Sequence, residues 1–292
     1  MRLSLGLVVI AAACGNGGTA ARPAAAPAAE AEAEAASVMR GIVAHRGASA
    51  EAPENTLAAL RRAWELGAES CEIDVRVTRD GHVVLIHDET TKRTSGGTTE
   101  LPVAATTLAA LRDVDVGAWK DARFAGEGIP TLAEAIAATP PGRMLFVEVK
   151  TGAADADVIA KAVLAADPRA RGVTLALQAY DADALAAVAE RLPGVEAYWT
   201  VDAPTDGDGR VLPYPAELVR VAAGRRFTGV AVDQRGADDA FVAAVAEAGL
   251  LLDVWTVNDA GGIQAWRHKG ARWIETDHPE LGRGRAGAKE QP

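Results

Sequence analysis

From Met39 onward the chain alternates short runs rich in Val, Ile and Leu with Ala-rich stretches of helical spacing. Strand, helix and strand in regular succession is the pattern of a parallel sheet covered by helices, and nothing else in the sequence restricts the fold so strongly. Gly41–Ala44, Cys71–Val77, Val83–Ile86, Met144–Val149, Val173–Gln178, Val195–Val201, Phe227–Asp233, Leu250–Val257 and Arg272–Glu275 read as strands. Thr56–Leu66, Asp155–Ala166, Asp181–Leu192, Pro215–Ala223, Asp238–Ala248 and Ala260–Lys269 read as helices, several opening on an acidic residue that suits a helix N-terminus. Asn55 is expected to cap the first of them and Gly67 to end it.

One connection departs from the pattern. Only Asp80-Gly81 separates Arg79 from His82, the signal of a two-residue type I′ hairpin. Parallel neighbours need a crossover of about a dozen residues, so Val83–Ile86 is expected as an antiparallel arm outside the main sheet. In that register Arg79 opposes His82 and Asp74 opposes His87, on one side of the ribbon. Eight parallel strands remain over about 240 residues, which fits an α/β chain closed as a (β/α)8 TIM barrel, typically about 250 residues. The hairpin and a Thr- and Gly-rich insertion, Asp88 to Pro130, are expected over its C-terminal mouth. A doubly wound open sheet is the runner-up, but no Gly-rich nucleotide fingerprint follows the first strand.

Composition narrows the function. With 30 Lys and Arg against 40 Asp and Glu the net charge is −10, which argues against a nucleic-acid partner. Two cysteines cannot build a disulfide framework or a Cys-rich zinc site, and Cys71 reads as a packing residue of its apolar strand. Leu3 to Ala13 is an apolar run behind Arg2, too short for the roughly 20 residues that span a bilayer. It reads as the core of a secretory signal, and Ala11-Ala12-Ala13 before Cys14 resembles a bacterial lipobox, although Ala11 stands where Leu is preferred. The expected organisation is a signal peptide at 1–13, a flexible linker at 14–38, a barrel domain at 39–281 and a disordered tail at 282–292. The expected location is the bacterial envelope, with membrane contact through a lipid anchor only; an ordinary signal peptide with an incidental Cys14 is the alternative.

Functional residues of such barrels stand at the C-terminal ends of strands. There the sequence places His45-Arg46-Gly47, then Glu72 and Asp74 two apart, then Glu148 and Lys150 two apart. Residues two apart on a strand share a face, and charges in apolar runs are costly unless paired or bound to a metal. Three carboxylates at one mouth suit a hard divalent cation, Ca²⁺ or Mg²⁺. Structural ion pairs with Arg46, Arg76 and Lys150 are the alternative reading.

The same residues carry a resemblance. His45-Arg46-Gly47, Pro53-Glu54-Asn55-Thr56, Glu72-Ile73-Asp74-Val75, Asp80-Gly81, His87-Asp88 and Arg93-Thr94 resemble the N-terminal half of glycerophosphodiester phosphodiesterases. Ile129-Pro130-Thr131-Leu132, Glu148-Val149-Lys150, Trp255-Thr256-Val257-Asn258 and Thr276-Asp277-His278-Pro279 continue it in the family's order. The resemblance implies a phosphodiesterase TIM barrel acting on a small glycerophosphodiester. It implies Glu72, Asp74 and Glu148 as ligands of one divalent cation and His45 and His87 as catalytic histidines. Arg46 and Lys150 match the phosphate-binding cations and Trp255 the pocket tryptophan. Tyr180 stands in Gln178-Ala179-Tyr180, where the family more often has Gln-Ser-Phe, and adds a hydroxyl near the glycerol pocket. Glu54 matches an acidic loop residue; Asp277 matches a motif residue that is either a structural partner for Arg46 or a catalytic part.

The implied reaction is attack by the substrate's own neighbouring hydroxyl, then opening of the cyclic phosphate by water, giving glycerol phosphate and an alcohol. Such chemistry needs charge neutralisation at the phosphoryl oxygens and proton transfer at the attacking and leaving oxygens. His45 is read as base and His87 as acid by analogy. A lysophospholipase D or sphingomyelinase D-like activity is the same-class alternative, and a non-catalytic surface lipoprotein binding polyol phosphates the different-class one.

Overall fold

The computed structural model describes residues 39–283. The expected signal peptide with Cys14, the linker 14–38 and residues 284–292 of the expected tail lie outside them. Gly282 closes a final 3₁₀ turn, and Arg283 Nη2 donates to Leu66 O at 2.7 Å, tying this end to the body.

The strands are β1 (Met39–Ala44), β2 (Ala68–Val77), β3 (Val83–Leu85), β4 (Met144–Val149), β5 (Thr174–Ala179), β6 (Glu196–Val201), β7 (Gly229–Asp233), β8 (Leu251–Trp255) and β9 (Trp273–Thr276). They pair in the order β1-β9-β8-β7-β6-β5-β4-β2-β3, and a parallel β1–β2 pairing closes the sheet. Eight parallel strands thus form the expected barrel. β2, with ten residues, serves three neighbours. It pairs with β1 through Ser70 and Cys71, with β4 from Ser70 to Val75, and with antiparallel β3 through Val75 to Val77.

Helices α1 (Leu57–Glu65), α2 (Leu108–Arg112), α3 (Leu132–Ala138), α4 (Ala156–Ala166), α5 (Ala182–Arg191), α6 (Ala216–Gly224), α7 (Asp239–Glu247) and α8 (Ala260–Lys269) complete the described body. The short α2 and α3 are additions to the expected set; α3 opens on a capping box between Thr131 and Glu134. The cap of α1 is Thr56, whose hydroxyl accepts the Ala59 N–H, and not Asn55 as expected. Asn55 stands at a positive φ of 57° and turns its amide to Asp74 instead.

Alternation along each strand divides the core in two. Outward residues such as Ile42, Ile73, Val147 and Leu177 pack under the helices. Inward residues Val43, Met144, Phe146, Ala176, Tyr198, Ala231 and Trp273 fill the lower barrel. The Phe146 ring lies 5.4 Å from Tyr198 and 5.3 Å from Trp273, centroid to centroid, and Trp273 Nε1 donates to Tyr198 Oη. Gly229 makes room for this packing, since a Cβ there would lie 2.8 Å from the Tyr198 ring and 2.2 Å from Leu251 O. The insertion carries a small core of its own, in which Val103, Leu111, Val114, Val116 and Ile129 pack on Val84 and Ile86.

The hairpin register differs from expectation by one residue. Val75 opposes Leu85, Arg76 opposes Val84 and Val77 opposes Val83, so Asp74 faces Ile86, whose N–H donates to Asp74 O at 3.1 Å. The loop holds three residues, Arg79-Asp80-Gly81, between the bonded Thr78 and His82. Gly81 takes a positive φ of 77° and Asp80 does not, which is a type I turn with a left-handed glycine and not the type I′ turn expected. The cause lies in the Asp80 side chain. It accepts the Thr78 hydroxyl at 2.7 Å and the Leu108 N–H at 3.0 Å, bracing the wider turn against the insertion.

Candidate active site

All nine residues singled out from the sequence gather at the C-terminal mouth. His45, Arg46, His87, Glu148, Lys150, Tyr180 and Trp255 line one cavity of about 100 Å³, together with Gln178, Thr200, Thr256 and Glu275. Glu72 and Asp74 join it from β2 through their contacts with Arg46 and Lys150. Larger clefts of about 500 and 460 Å³ lie on the outer wall, beside α4 and beside α1, and neither gathers buried titratable groups.

The first loop is shaped by backbone. Arg46 adopts a left-handed φ of 56° and Gly47 follows at 82°. At Gly47 a Cβ would stand 2.7 Å from the Ala59 backbone, so only glycine fits beside α1. A left-handed non-glycine costs about 1–2 kcal/mol, and three contacts hold Arg46 there. Its N–H donates to Glu72 Oε2 at 2.9 Å, its Nη1 to Glu54 Oε1 at 3.0 Å, and its Nε lies 3.3 Å from Asp74 Oδ2.

Each imidazole is backed by a carboxylate. His45 Nδ1 lies 2.7 Å from Asp277 Oδ1, which also accepts from Ser49 Oγ, while Asn258 Nδ2 donates to Asp277 Oδ2. Asp277 is therefore the partner of His45 and not of Arg46. Burial works to raise its pKa, but the bonds from His45, Asn258 and Ser49 outweigh this and hold it below the usual carboxylate range. An ionised carboxylate only accepts, so Nδ1 carries the proton and Nε2 is the nitrogen left to take one. His87 Nδ1 pairs in the same way with Asp88 Oδ1 at 2.8 Å. Burial, with help from Arg46 and Lys150, pushes the His87 pKa below the ordinary imidazole value despite Asp74 and Asp88. His87 reaches the cavity although the expected pairing with Asp74 is absent, because β3 ends at Leu85 and Arg76 Nε anchors His87 O at 2.9 Å.

Glu72, Asp74 and Glu148 are buried, and one oxygen of each lies within 4.8 Å of the others. Lys150 Nζ stands 3.0 Å from Asp74 Oδ1 and 2.8 Å from Glu148 Oε1. Arg76 donates to the backbone oxygens of His87 and Lys150, so it is not an ion-pair partner of the triad. Glu72 Oε1 has no hydrogen-bond partner among the described residues. Burial and the charges of Asp74, Glu275 and Glu148 push Glu72 well above the usual carboxylate range. Burial and Asp74 push Glu148 up to about 7, against the pull of Lys150. Asp74 moves the other way: burial would raise it, but Lys150, Arg46 and His87 outweigh that and hold it low. An all-oxygen set with an orphaned buried oxygen fits a hard divalent cation.

A second acidic layer, not among the residues expected from the sequence, lies in the same barrel interior. Gln178 Nε2 donates to Asp253 Oδ2 at 2.9 Å and to Glu275 Oε1 at 2.7 Å. Burial pushes Asp253 up to about 7, and burial with the charge of Asp253 pushes Glu275 well above the ordinary carboxylate range. Glu275 also comes within 4.8 Å, ligand atom to ligand atom, of His45 and Glu72. Its signal was present, since Trp273, Glu275 and Asp277 alternate as Glu72 and Asp74 do. Above this layer the Tyr180 and Trp255 rings meet edge to face at 6.2 Å, and Tyr180 Oη donates to Asp202.

The glycerophosphoryl diester phosphodiesterase family model matches residues 45–281. The chain is 31% identical over 257 residues to "Probable glycerophosphodiester phosphodiesterase 1" of Mycobacterium tuberculosis, covering 82% of this chain and 89% of that protein. A glycerophosphodiester phosphodiesterase of Caldanaerobacter subterraneus is 46% identical over 112 residues, 38% of this chain and 45% of that protein. Among solved structures, an Oleispira antarctica phosphodiesterase in complex with the product sn-glycerol-3-phosphate superposes with a TM-score of 0.71 at 26% identity, covering 82% of this chain and 93% of that one.

Proposed function

The chain belongs to the glycerophosphoryl diester phosphodiesterase family of enzymes, and from that premise we propose a metal-dependent hydrolysis of glycerophosphodiesters to glycerol 3-phosphate and an alcohol. Glu72, Asp74 and Glu148 hold one divalent cation, Ca²⁺ or Mg²⁺. When bound, that ion supplies positive charge to a phosphoryl oxygen. Arg46 and Lys150 add theirs. His45 Nε2, its Nδ1 proton committed to Asp277, takes the proton of the attacking glycerol hydroxyl. His87, oriented by Asp88, donates to the leaving alcohol oxygen, and the lowered pKa that burial gives it makes its protonated form a readier acid. The Tyr180–Trp255 corner flanks the glycerol. That attack expels the alcohol and leaves a cyclic glycerol phosphate; water then opens the ring, giving its proton to the now neutral His87 while His45 returns its proton to the glycerol oxygen. The result is glycerol 3-phosphate, the product in the Oleispira antarctica structure.

One observation carries the reading: two carboxylate-backed imidazoles and a cation-ready carboxylate triad share one cavity at the barrel mouth. A panel of glycerophosphodiesters and lysolipids, incubated with the purified chain with and without chelator, tests it. Release of glycerol phosphate from the small diesters, abolished by chelator and restored by the ion, is expected. Turnover of lysolipids alone would move the chain to the lysophospholipase D-like alternative, and no turnover of any diester would leave the binding lipoprotein.

The location is proposed from the sequence: Cys14 anchors the folded domain to a membrane outside the cytoplasm. Cys14→Ser should release the protein from the membrane fraction of its host. No described helix is long and apolar enough to cross a membrane.

A further inference from the structure

We propose that Arg93, on the insertion, is a positioning residue that holds the phosphate-binding and the proton-donating arms of the site in one geometry; this rests on the function proposed above. Arg46 and His87 sit on different loops. They are joined through three ion pairs centred on Arg93 and a final imidazole–carboxylate hydrogen bond. Arg93 Nη1 and Nη2 grip both oxygens of Glu54 at 2.7 and 2.8 Å, and Glu54 Oε1 in turn accepts from Arg46 Nη1 at 3.0 Å. On its other side Arg93 Nε and Nη2 reach Asp88 Oδ2 and Oδ1 at 2.8 and 2.9 Å, and Asp88 Oδ1 lies 2.8 Å from His87 Nδ1. The bonds from Arg93 and His87 hold Asp88 down at about 2, so it remains a pure acceptor.

The guanidinium meets two carboxylates at once because its donors lie in one rigid plane, which a lysine ammonium cannot reproduce. Its own backbone is fixed. Ser95 N–H donates to Thr91 O and Gly97 N–H to Lys92 O, while the Thr91 and Ser95 hydroxyls both close on Thr99 O at 2.8 Å. Arg93 is 43% exposed, so solvent screens these pairs and limits what they add to stability. What they add is placement, and a misplacement of about 1 Å at a reacting centre costs about 10²-fold in rate.

The test uses the metal-loaded full chain and the variants Arg93→Ala, Arg93→Lys, Asp88→Asn and Glu54→Gln. With a glycerophosphodiester of an ordinary alcohol, Arg93→Ala should lower kcat by about 10–10²-fold and raise KM. With a nitrophenyl ester, which departs without a proton, the kcat loss should shrink while the KM rise persists. Asp88→Asn should reproduce the first effect alone and Glu54→Gln the second alone. Added guanidinium at low concentration should restore part of the Arg93→Ala loss, and Arg93→Lys should not. Equal kcat loss with both leaving groups and unchanged KM, or full activity in Arg93→Lys, would overturn the proposal. Should the wild-type chain hydrolyse no diester, the proposed function fails and Arg93 is judged by NMR. A protected His87 Nδ1 proton that Arg93→Ala abolishes supports the positioning role, and one that survives the substitution refutes it.

Discussion

The lower and upper halves of the barrel interior are built by the same strands and share almost nothing else. On β4 the inward residues run Met144, Phe146 and then Glu148; on β9 they run Trp273 and Glu275, with Asp277 just past its end. One inward step is two residues, about 7 Å along the strand. Within that step the interior passes from packed rings to carboxylates. The lower half excludes water by fit, as Phe146, Tyr198 and Trp273 interlock. The carboxylates of the upper half are buried too, yet each charge there needs a partner: Arg46, Lys150 and the histidines supply part of this, and the proposed cation would supply the rest. The lower half therefore supplies stability and the upper half gives some of it up for chemistry.

The sharpest break in that contrast should come from Glu72→Gln. Loss of the ion removes several kcal/mol of charge stabilisation, so turnover should fall by about 10³-fold or more. Metal affinity, read by calorimetry, should fall with it, while the metal-free protein should melt no lower than wild type. Phe146→Ala should do the reverse. Truncating a buried Phe costs about 3–5 kcal/mol in denaturant unfolding, with metal affinity per folded molecule nearly unchanged. A Phe146→Ala protein of wild-type stability would end the division between the halves.

The pH dependence sharpens it further. Burial holds Glu148 and Asp253 near 7 and keeps Glu72 and Glu275 above the ordinary range. The unfolded chain gives up these protons near pH 4–4.5. Between there and about 7 the folded, metal-free protein binds more protons than the unfolded one, so stability falls as pH rises. Asp74, Asp88 and Asp277, held low, act in the opposite sense only at more acid pH, where protonation removes their contribution. In chelator, Tm should drop from pH 5 to pH 8, and saturating cation should remove most of the drop. Metal affinity should rise over the same range, because binding requires the ionised carboxylates.

The smallest effect is expected outside the barrel. Gly81 stands at a positive φ with open space around its missing side chain. Gly81→Val should cost about 1–2 kcal/mol from backbone strain alone. Turnover should fall slightly through the displaced His87, with metal affinity untouched. Unchanged unfolding would show that the turn relaxes freely.

What the sequence made legible follows the range of the interactions involved. The eight parallel strands and the Glu72, Asp74 and Glu148 positions depend on alternation within a strand, which is local. The hairpin register slipped because it turned on one side chain, Asp80, bonding to a distant Leu108 N–H. Asn55 looked like a cap by type, but its amide is taken by Asp74 across the loop. Gln178, Asp253 and Glu275 meet across the barrel at separations of 75 and 97 residues, and His45 meets Asp277 over 232. No local pattern announces such partners. Charged residues inside the apolar runs of β8 and β9 marked where to look.

Whether the upper barrel is a one-cation diesterase site is decided by metal occupancy and turnover measured on the same protein. A glycerophosphodiester assay is run on metal-stripped protein while the cation is titrated and its binding followed by calorimetry. One ion per chain is expected, with turnover rising in proportion to occupancy, and neither in Glu72→Gln. Full turnover in excess chelator, or saturation of binding with no turnover of any glycerophosphodiester, would contradict it.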